Sequence, residues 1–327
     1  MKAILIEESS RDLFIGEAPD PIPRDEDLLV SVKATALNRA DLLQRAGKYP
    51  PPPGASTIMG LEMAGVVEEV GSNVRGWKAG DRVCALLPGG GYAQKAVIPA
   101  GMAMCIPDGL TFEEAAAIPE VFLTAYLNLF ELGRIARGER VLIHAAASGV
   151  GTAAIQLARE AGAIPIATAG SEEKLKVCGD LGARCLINYK KEDFAAKVLQ
   201  YTEQQGVQII LDPIGASYWQ QNVKAIGLDG RWIVIGGLGG YAIQEFNFQP
   251  LMRKRIHLLF STLRSRSEPD KISLTEQFLA FAADRLADGR LRPVIDRIFP
   301  WTDVMDAHEY MRQNKNIGKV VLSVQED

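Results

Sequence analysis

Apolar and polar residues follow two different rhythms along this chain. Up to about residue 119 the apolar runs are short. Residues 28–36 (LLVSVKATA) and 61–70 (LEMAGVVEEV) read as strands, and 82–87 and 92–98 follow them. Gly71-Ser72-Asn73, Gly76, Gly80-Asp81 and Gly89-Gly90-Gly91 fall between the runs, where tight turns favour glycine and short polar side chains. Such spacing predicts a compact, barrel-like all-β unit. Residues 49–54 (YPPPPG) fit neither helix nor central strand, because each proline lacks an amide hydrogen and fixes φ. A stiff surface loop is expected there. The triple glycine 89–91 reads as a hairpin turn.

From about residue 120 five- or six-residue apolar runs alternate with helical stretches. Strands are expected at 140–144, 163–168, 184–187, 207–211, 231–236 and 256–260, and helices at 149–161, 171–180, 192–202 and 217–225. This alternation predicts a doubly wound parallel sheet in an α/β fold. Beyond 262 come a polar stretch with Arg264 and Arg266, an amphipathic helix over 274–288 and a last strand at 318–324. The expected division is 1–119 with 263–327 as one domain and 120–262 as the other. Arg264 and Arg266 read as a solvated loop.

The 327 residues carry 36 Lys and Arg against 40 Asp and Glu, a net charge of −4. With 47% hydrophobic residues the chain holds enough apolar material for two cores, which excludes disorder and fibrous repeats. The mild acidity gives no global attraction to nucleic acid. No run of 18 apolar residues crosses a membrane, and the segment after Met1 is too short in apolar residues for a secretion signal. Cys84, Cys105, Cys178 and Cys185 form no Cys-x-x-Cys pair and read as small apolar residues. A cytoplasmic location is expected.

The expected strand 140–144 runs into Ala145-Ala146-Ala147-Ser148-Gly149-Val150-Gly151 and then a helix. A strand, a tight turn of small residues and a helix N-terminus form the dinucleotide fingerprint, with Ala146, Ser148 and Gly151 in its three glycine places. Small residues let the backbone approach a diphosphate, and the free amides of the first helical turn point at it. A site for NAD usually carries Asp or Glu at the tip of the second strand. Here that tip reads Ala169-Gly170-Ser171. The missing carboxylate suits a 2′-phosphate, with Lys174 one helical turn on and Tyr189 at the neighbouring strand tip. NADPH is therefore expected over NADH. Glu172 and Glu173 oppose that reading, and Ser171 also suits a helix cap.

Taken together, these segments resemble the medium-chain dehydrogenase/reductase superfamily, within it the zinc-free quinone oxidoreductases, closest to the tumour-suppressor-inducible type. The resemblance rests on 36–42 (ALNRADL), 49–56 (YPPPPGAS), 86–91 (LLPGGG), the turn and helix from His144, 188–194 (NYKKEDF), 230–237 (GRWIVIGG) and 314–319 (NKNIGK). It implies a GroES-like β-barrel catalytic domain, a Rossmann domain, NADPH and a homodimer. It places the phosphate end at Gly170, Ser171, Lys174 and Tyr189, and the diphosphate at Ser148, Gly149 and Val150. Thr124 matches a cofactor-contacting threonine. The nicotinamide side falls near Gly236, Gly237, Leu238 and Phe260, and a quinone pocket is lined from Asn38 and Tyr49. Bacterial relatives place an arginine where this chain has Asn314.

Zinc enzymes of the superfamily carry Gly-His-Glu where this chain reads Gly60-Leu61-Glu62, and a structural four-cysteine lobe that has no counterpart here. His144, His257 and His308 lie far apart in sequence, so no metal is expected. Without a metal the acceptor must take hydride readily, as quinones and other conjugated carbonyls do. Asn38 and Tyr49 are the candidate donors to the oxygen on which charge develops. A reductase of enals or enones is an alternative on the same residues. A non-catalytic, crystallin-like protein binding NADPH or RNA is an alternative of another class.

Overall fold

The second rhythm of the sequence becomes a parallel sheet in a computed structural model that describes residues 1–244 and 246–324. The chain forms two units, Met1–Leu123 with the chain from Leu263 onward, and Thr124–Thr262. The first division falls inside a helix, Pro119–Tyr126, four residues beyond the boundary read from composition.

In chain order the first stretch holds β1 (Lys2–Ile6), β2 (Leu13–Glu17), β3 (Asp27–Ala36), α1 (Arg39–Arg45), β4 (Glu62–Val70), β5 (Arg82–Leu86), β6 (Lys95–Pro99), β7 (Ala103–Cys105), α2 (Phe112–Ala116) and α3 (Pro119–Tyr126). The middle stretch holds β8 (Arg140–Ile143), α4 (Gly149–Glu160), β9 (Ile164–Ala169), α5 (Glu172–Asp180), β10 (Cys185–Asn188), α6 (Phe194–Tyr201), β11 (Val207–Asp212), α7 (Trp219–Ala225), β12 (Ile226–Val234), α8 (Gln249–Lys254) and β13 (His257–Phe260). The last stretch holds α9 (Glu268–Ala287), β14 (Ile295–Pro300), α10 (Val304–Arg312) and β15 (Lys319–Ser323).

Strands β8 to β13 form one parallel sheet in the order β10-β9-β8-β11-β12-β13. Their near-continuous apolar runs follow from burial on both faces. Leu142, Ile166, Ile187, Ile210 and Trp232 are buried in one cluster. The carboxyl ends are tied by a polar network. His144 shares hydrogen bonds with Thr168 Oγ1 (3.0 Å) and Asn222 Oδ1 (2.7 Å). Asn222 Nδ2 and Trp232 Nε1 both donate to Asp212 Oδ2, each at 3.0 Å. Burial holds the His144 ring below its ordinary titration range, so it is a neutral part of this network.

The other unit has a sheet in the order β14-β15-β3-β4-β5-β7, with β6 also paired to β3, and a β1–β2 hairpin. Strand β14 was not expected, because its half-exposed IDRIFP sequence lacks an apolar face. Val30, Val32, Leu37, Met63, Val320 and Leu322 are among the side chains packed at its centre.

That core also contains charge. Lys319 and Glu62 are 3% and 0% exposed at their side chains and lie 2.7 Å apart. The Lys319 ammonium donates to Leu37 O, Asn38 Oδ1 and Glu62 Oε1, each at 2.7 Å, so its three hydrogens are all used. Glu62 Oε1 also accepts from Asn38 Nδ2 (2.8 Å), and Oε2 from the Glu120 amide (2.8 Å). A buried pair is tolerable only with such complete partnering. Two more carboxyls sit beside it. Burial, then repulsion from Glu62, pushes Glu120 up to about 8, against the pull of Lys319 and Arg264. Burial pushes Asp41 up to about 6, although it accepts from the Asn38 amide (2.7 Å). Of the three carboxyls only Glu62 is bonded to Lys319.

Lys319→Met should cost about 3–5 kcal/mol in urea denaturation, because it strands the Glu62 carboxylate. A loss below about 1 kcal/mol would show that the pair contributes little. Glu120 titrates higher in the fold than in the unfolded chain. Its contribution is therefore complete below the ordinary carboxylate range and disappears as pH rises through about 8. Wild type should lose melting temperature between pH 6 and 9 faster than Glu120→Gln, the groups facing Glu120 (Glu62, Asp41, Lys319, Arg264, Lys271 and Tyr49) being common to both. Parallel curves would remove this assignment.

Candidate functional site

The dinucleotide turn lies between β8 and α4, at the carboxyl end of the first strand of this unit. Gly151 shows how tight it is. A Cβ there would lie 2.5 Å from Ala146 O and 2.6 Å from Ala145 O, so only glycine lets α4 start this close to β8. Ala146 is fully buried beneath the turn. Ser148 caps α4, its Oγ accepting from the Gly151 amide at 3.1 Å. The amides of Gly149 and Val150 belong to the first turn, where no carbonyl one turn earlier exists to receive them. They suit an external anion. The strain in the turn falls on Ala145, with φ 46°, while Ser148 keeps φ −74°. An alanine in the left-handed region costs about 1–2 kcal/mol.

The neighbouring strand tips bring Gly170, Ser171 and Tyr189 together. A Cβ on Gly170 would meet the Tyr189 hydroxyl at 2.8 Å, so glycine makes the room that the phenol occupies. Tyr189 remains 41% exposed. Ser171 caps α5, accepting from the Lys174 amide at 3.3 Å. The cap and the phosphate reading both fit this serine. Glu172, the opposing charge, turns away to Asn188 Nδ2 (3.0 Å) and Lys191 Nζ (2.9 Å). Asn188 first and Lys191 second hold its carboxyl below the usual range. The tip therefore offers hydroxyls and open backbone, with the Glu172 carboxylate already paired.

The remaining expected cofactor residues are less gathered. Thr124 lies in α3, and its carbonyl accepts from Asn128 Nδ2 at 2.7 Å. Gly236 and Gly237 follow β12, and a Cβ on Gly237 would clash with the Tyr241 ring at 2.4 Å. Leu238 and Phe260 are 57% and 75% exposed. Phe260 ends β13, the edge strand of the sheet.

In the other unit Asn38 stands at the N-cap of α1. Its two amide hydrogens go to Ala36 O (3.3 Å) and Glu62 Oε1 (2.8 Å), and its oxygen accepts from Lys319. Asn38 thus holds the buried pair together, with no amide hydrogen left over. Tyr49 is half-buried, and the Arg264 guanidinium carbon lies 5.1 Å from its ring centre. Burial, then the charge of Glu120, raises the Tyr49 phenol above its ordinary range.

Arg264 corrects the sequence reading. It is not a solvated loop residue but only 5% exposed. Its Nε donates to Pro88 O (2.9 Å) and Nη2 to Gln44 Oε1 (2.8 Å), while its carbonyl accepts from Lys271 Nζ (2.7 Å). The two acceptors are distant in sequence, so the local run LRSRSE gave no sign of them. Glu120 and the Lys319–Glu62 pair were missed for the same reason.

Leu61, at the position of the zinc enzymes' histidine, is buried at 1% exposure. Among the described residues no three His, Cys, Asp or Glu side chains are grouped to hold a metal. Also among them, no helix is long and apolar enough to cross a membrane.

Residues 24–108 match the alcohol dehydrogenase GroES-like domain, and residues 149–280 the zinc-binding dehydrogenase family. Human quinone oxidoreductase is 33% identical over 307 residues, covering 92% of this chain and 90% of that protein. A phenolphthiocerol/phthiocerol polyketide synthase of Mycobacterium tuberculosis is 33% identical over 313 residues. That match covers 95% of this chain but only 14% of the synthase polypeptide. Among solved structures, an NAD-dependent alcohol dehydrogenase superposes with a TM-score of 0.88 at 31% identity, covering 99% of this chain and 100% of the other. The CurK enoyl reductase gives 0.87 at 30%, covering 99% of each. Escherichia coli quinone oxidoreductase complexed with NADPH gives 0.85 at 29%, covering 99% of each. With both domain types matched and relatives aligned over nearly its whole length, the chain belongs to the medium-chain dehydrogenase/reductase family of oxidoreductases.

Proposed function

We propose that this chain is an NADPH-dependent quinone oxidoreductase that works without a metal. The observation that carries the cofactor choice is the β9 tip, where Gly170 lies beneath the Tyr189 hydroxyl, Ser171 follows it, and the Glu172 carboxylate is paired with Asn188 and Lys191. A dianionic 2′-phosphate needs donors and open backbone, and a carboxylate would repel it. Gly149 and Val150 would hold the diphosphate on the α4 N-terminus, with Ser148 adding a hydroxyl. The NADPH carried by the E. coli neighbour supports this assignment.

When bound, NADPH supplies a hydride with its electron pair. Leu61 in place of a metal-binding histidine supports an acceptor that needs no Lewis acid. A quinone takes the hydride, and its oxygen then takes a proton, so NADPH, a proton and quinone give NADP⁺ and hydroquinone. Tyr49 offers its phenol to that oxygen; burial first, then the charge of Glu120, raises it above its ordinary range. Asn38 contributes by fixing Glu62 and Lys319. The enoyl reductase neighbour favours a second reading, in which hydride adds to a conjugated carbon–carbon double bond. A cytoplasmic location suits the unpaired Cys84, Cys105, Cys178 and Cys185.

We also propose a homodimer that continues the sheet across β13. This edge strand is only partly covered and ends on the exposed Phe260, and a two-fold partner would satisfy its open backbone groups. Light scattering should return twice the mass of one chain, and a monomer mass would remove the dimer.

Purified protein screened with both nicotinamides against a naphthoquinone, a benzoquinone and a short 2-alkenal should oxidise NADPH fastest with the quinones. Faster turnover of the alkenal would establish the second reading, and no turnover with any acceptor would overturn both. Lys174→Glu should raise KM for NADPH by about tenfold or more while barely changing that for NADH. Equal effects would count against the phosphate-end assignment.

A further inference from the structure

Arg264 is held in place by only part of its hydrogen-bonding capacity. A guanidinium carries five N–H donors. Nε and Nη2 meet Pro88 O and Gln44 Oε1, but Nη1 is closed from water and has no acceptor among the described residues. A buried donor without a partner costs about 1–3 kcal/mol, so an arginine placed this way calls for a ligand. Neither nearby carboxyl answers the need. Glu120 and Asp41 influence the guanidinium through space but do not hydrogen-bond to Nη1. Glu120 is pushed up to about 8, so near neutral pH it offsets that charge only in part.

The other side of the guanidinium is aromatic. The Tyr49 ring covers it at 5.1 Å and is itself only half-buried. Tyr49 enters the proline run 50–53, which restrains its backbone.

We propose that Arg264 Nη1 is the donor reserved for a negatively charged oxygen on the acceptor, with the Tyr49 ring as its cover. Arginine stays protonated, so it stabilises the oxyanion formed by hydride addition without giving up a proton. Tyr49 beside it carries a hydrogen that can be given up. The site therefore selects acceptors whose reduced form places charge on oxygen. This rests on the reductase reading but can be tested apart from it.

The probe is 4-nitrophenol, whose phenolate is coloured and mimics the reduced acceptor's oxygen. Wild type should bind the phenolate about tenfold or more tightly than the phenol, seen as a lowered titration midpoint in visible absorbance. Arg264→Gln should abolish that preference while NADPH binding, followed by fluorescence, stays within about twofold. Its kcat with a naphthoquinone should fall about 10²–10³-fold, the loss typical of one oxyanion donor. If Arg264→Gln fails to fold by circular dichroism, Arg264→Lys decides. It keeps the cation, but its single nitrogen is drawn to the two anchor acceptors, so the preference should again be lost.

An unchanged preference in the variant that folds, or none in wild type, overturns the proposal. Quinone turnover that survives such a result leaves the reductase reading standing. A phenolate preference in a wild-type protein that reduces no quinone would keep the oxygen site and remove the reductase reading.

Discussion

One close approach makes the Rossmann-like half of this chain possible. Helix α4 starts so near the end of β8 that a methyl group at residue 151 would overlap two backbone carbonyls. That approach aims the first amides of α4 past the sheet edge, where nothing in their own helix can receive them. It also forces Ala145 into the left-handed region, a strain the surrounding packing must offset. The buried network of His144, Thr168, Asn222, Asp212 and Trp232 supplies part of that support, because it ties the same strand ends together.

The other unit solves a different problem. Its core buries Lys319 with the carboxyls of Glu62 and Asp41, and Glu120 lies half-buried beside them; Glu62 is fully compensated while the other two are pushed up from the ordinary carboxylate range. Asn38 belongs to that compensation. Arg264 remains as a second cation with a spare donor, beside the Tyr49 phenol.

Legibility in the sequence followed the range of the contacts. Strands β8 to β13 were readable because a parallel sheet buried on both faces writes itself as apolar runs. The turn at 145–151 was readable because strand, small residues and helix start are contiguous. Gly170, Ser171 and Tyr189 were readable as strand tips in a known order. Arg264 was misread because its anchors lie at Gln44 and Pro88, and nothing in LRSRSE points to them. Lys319 and Glu62 meet only because β15 and β4 flank β3, a pairing no local pattern encodes. Strand β14 escaped because an edge strand needs no apolar face.

A crystal structure of the NADPH complex tests the central claim most directly. The diphosphate should lie on the amides of Gly149 and Val150 and the Ser148 hydroxyl, with the 2′-phosphate at Gly170 and Ser171 near the Tyr189 hydroxyl. A diphosphate bound away from that turn, or a 2′-phosphate that meets none of these residues, would contradict the account.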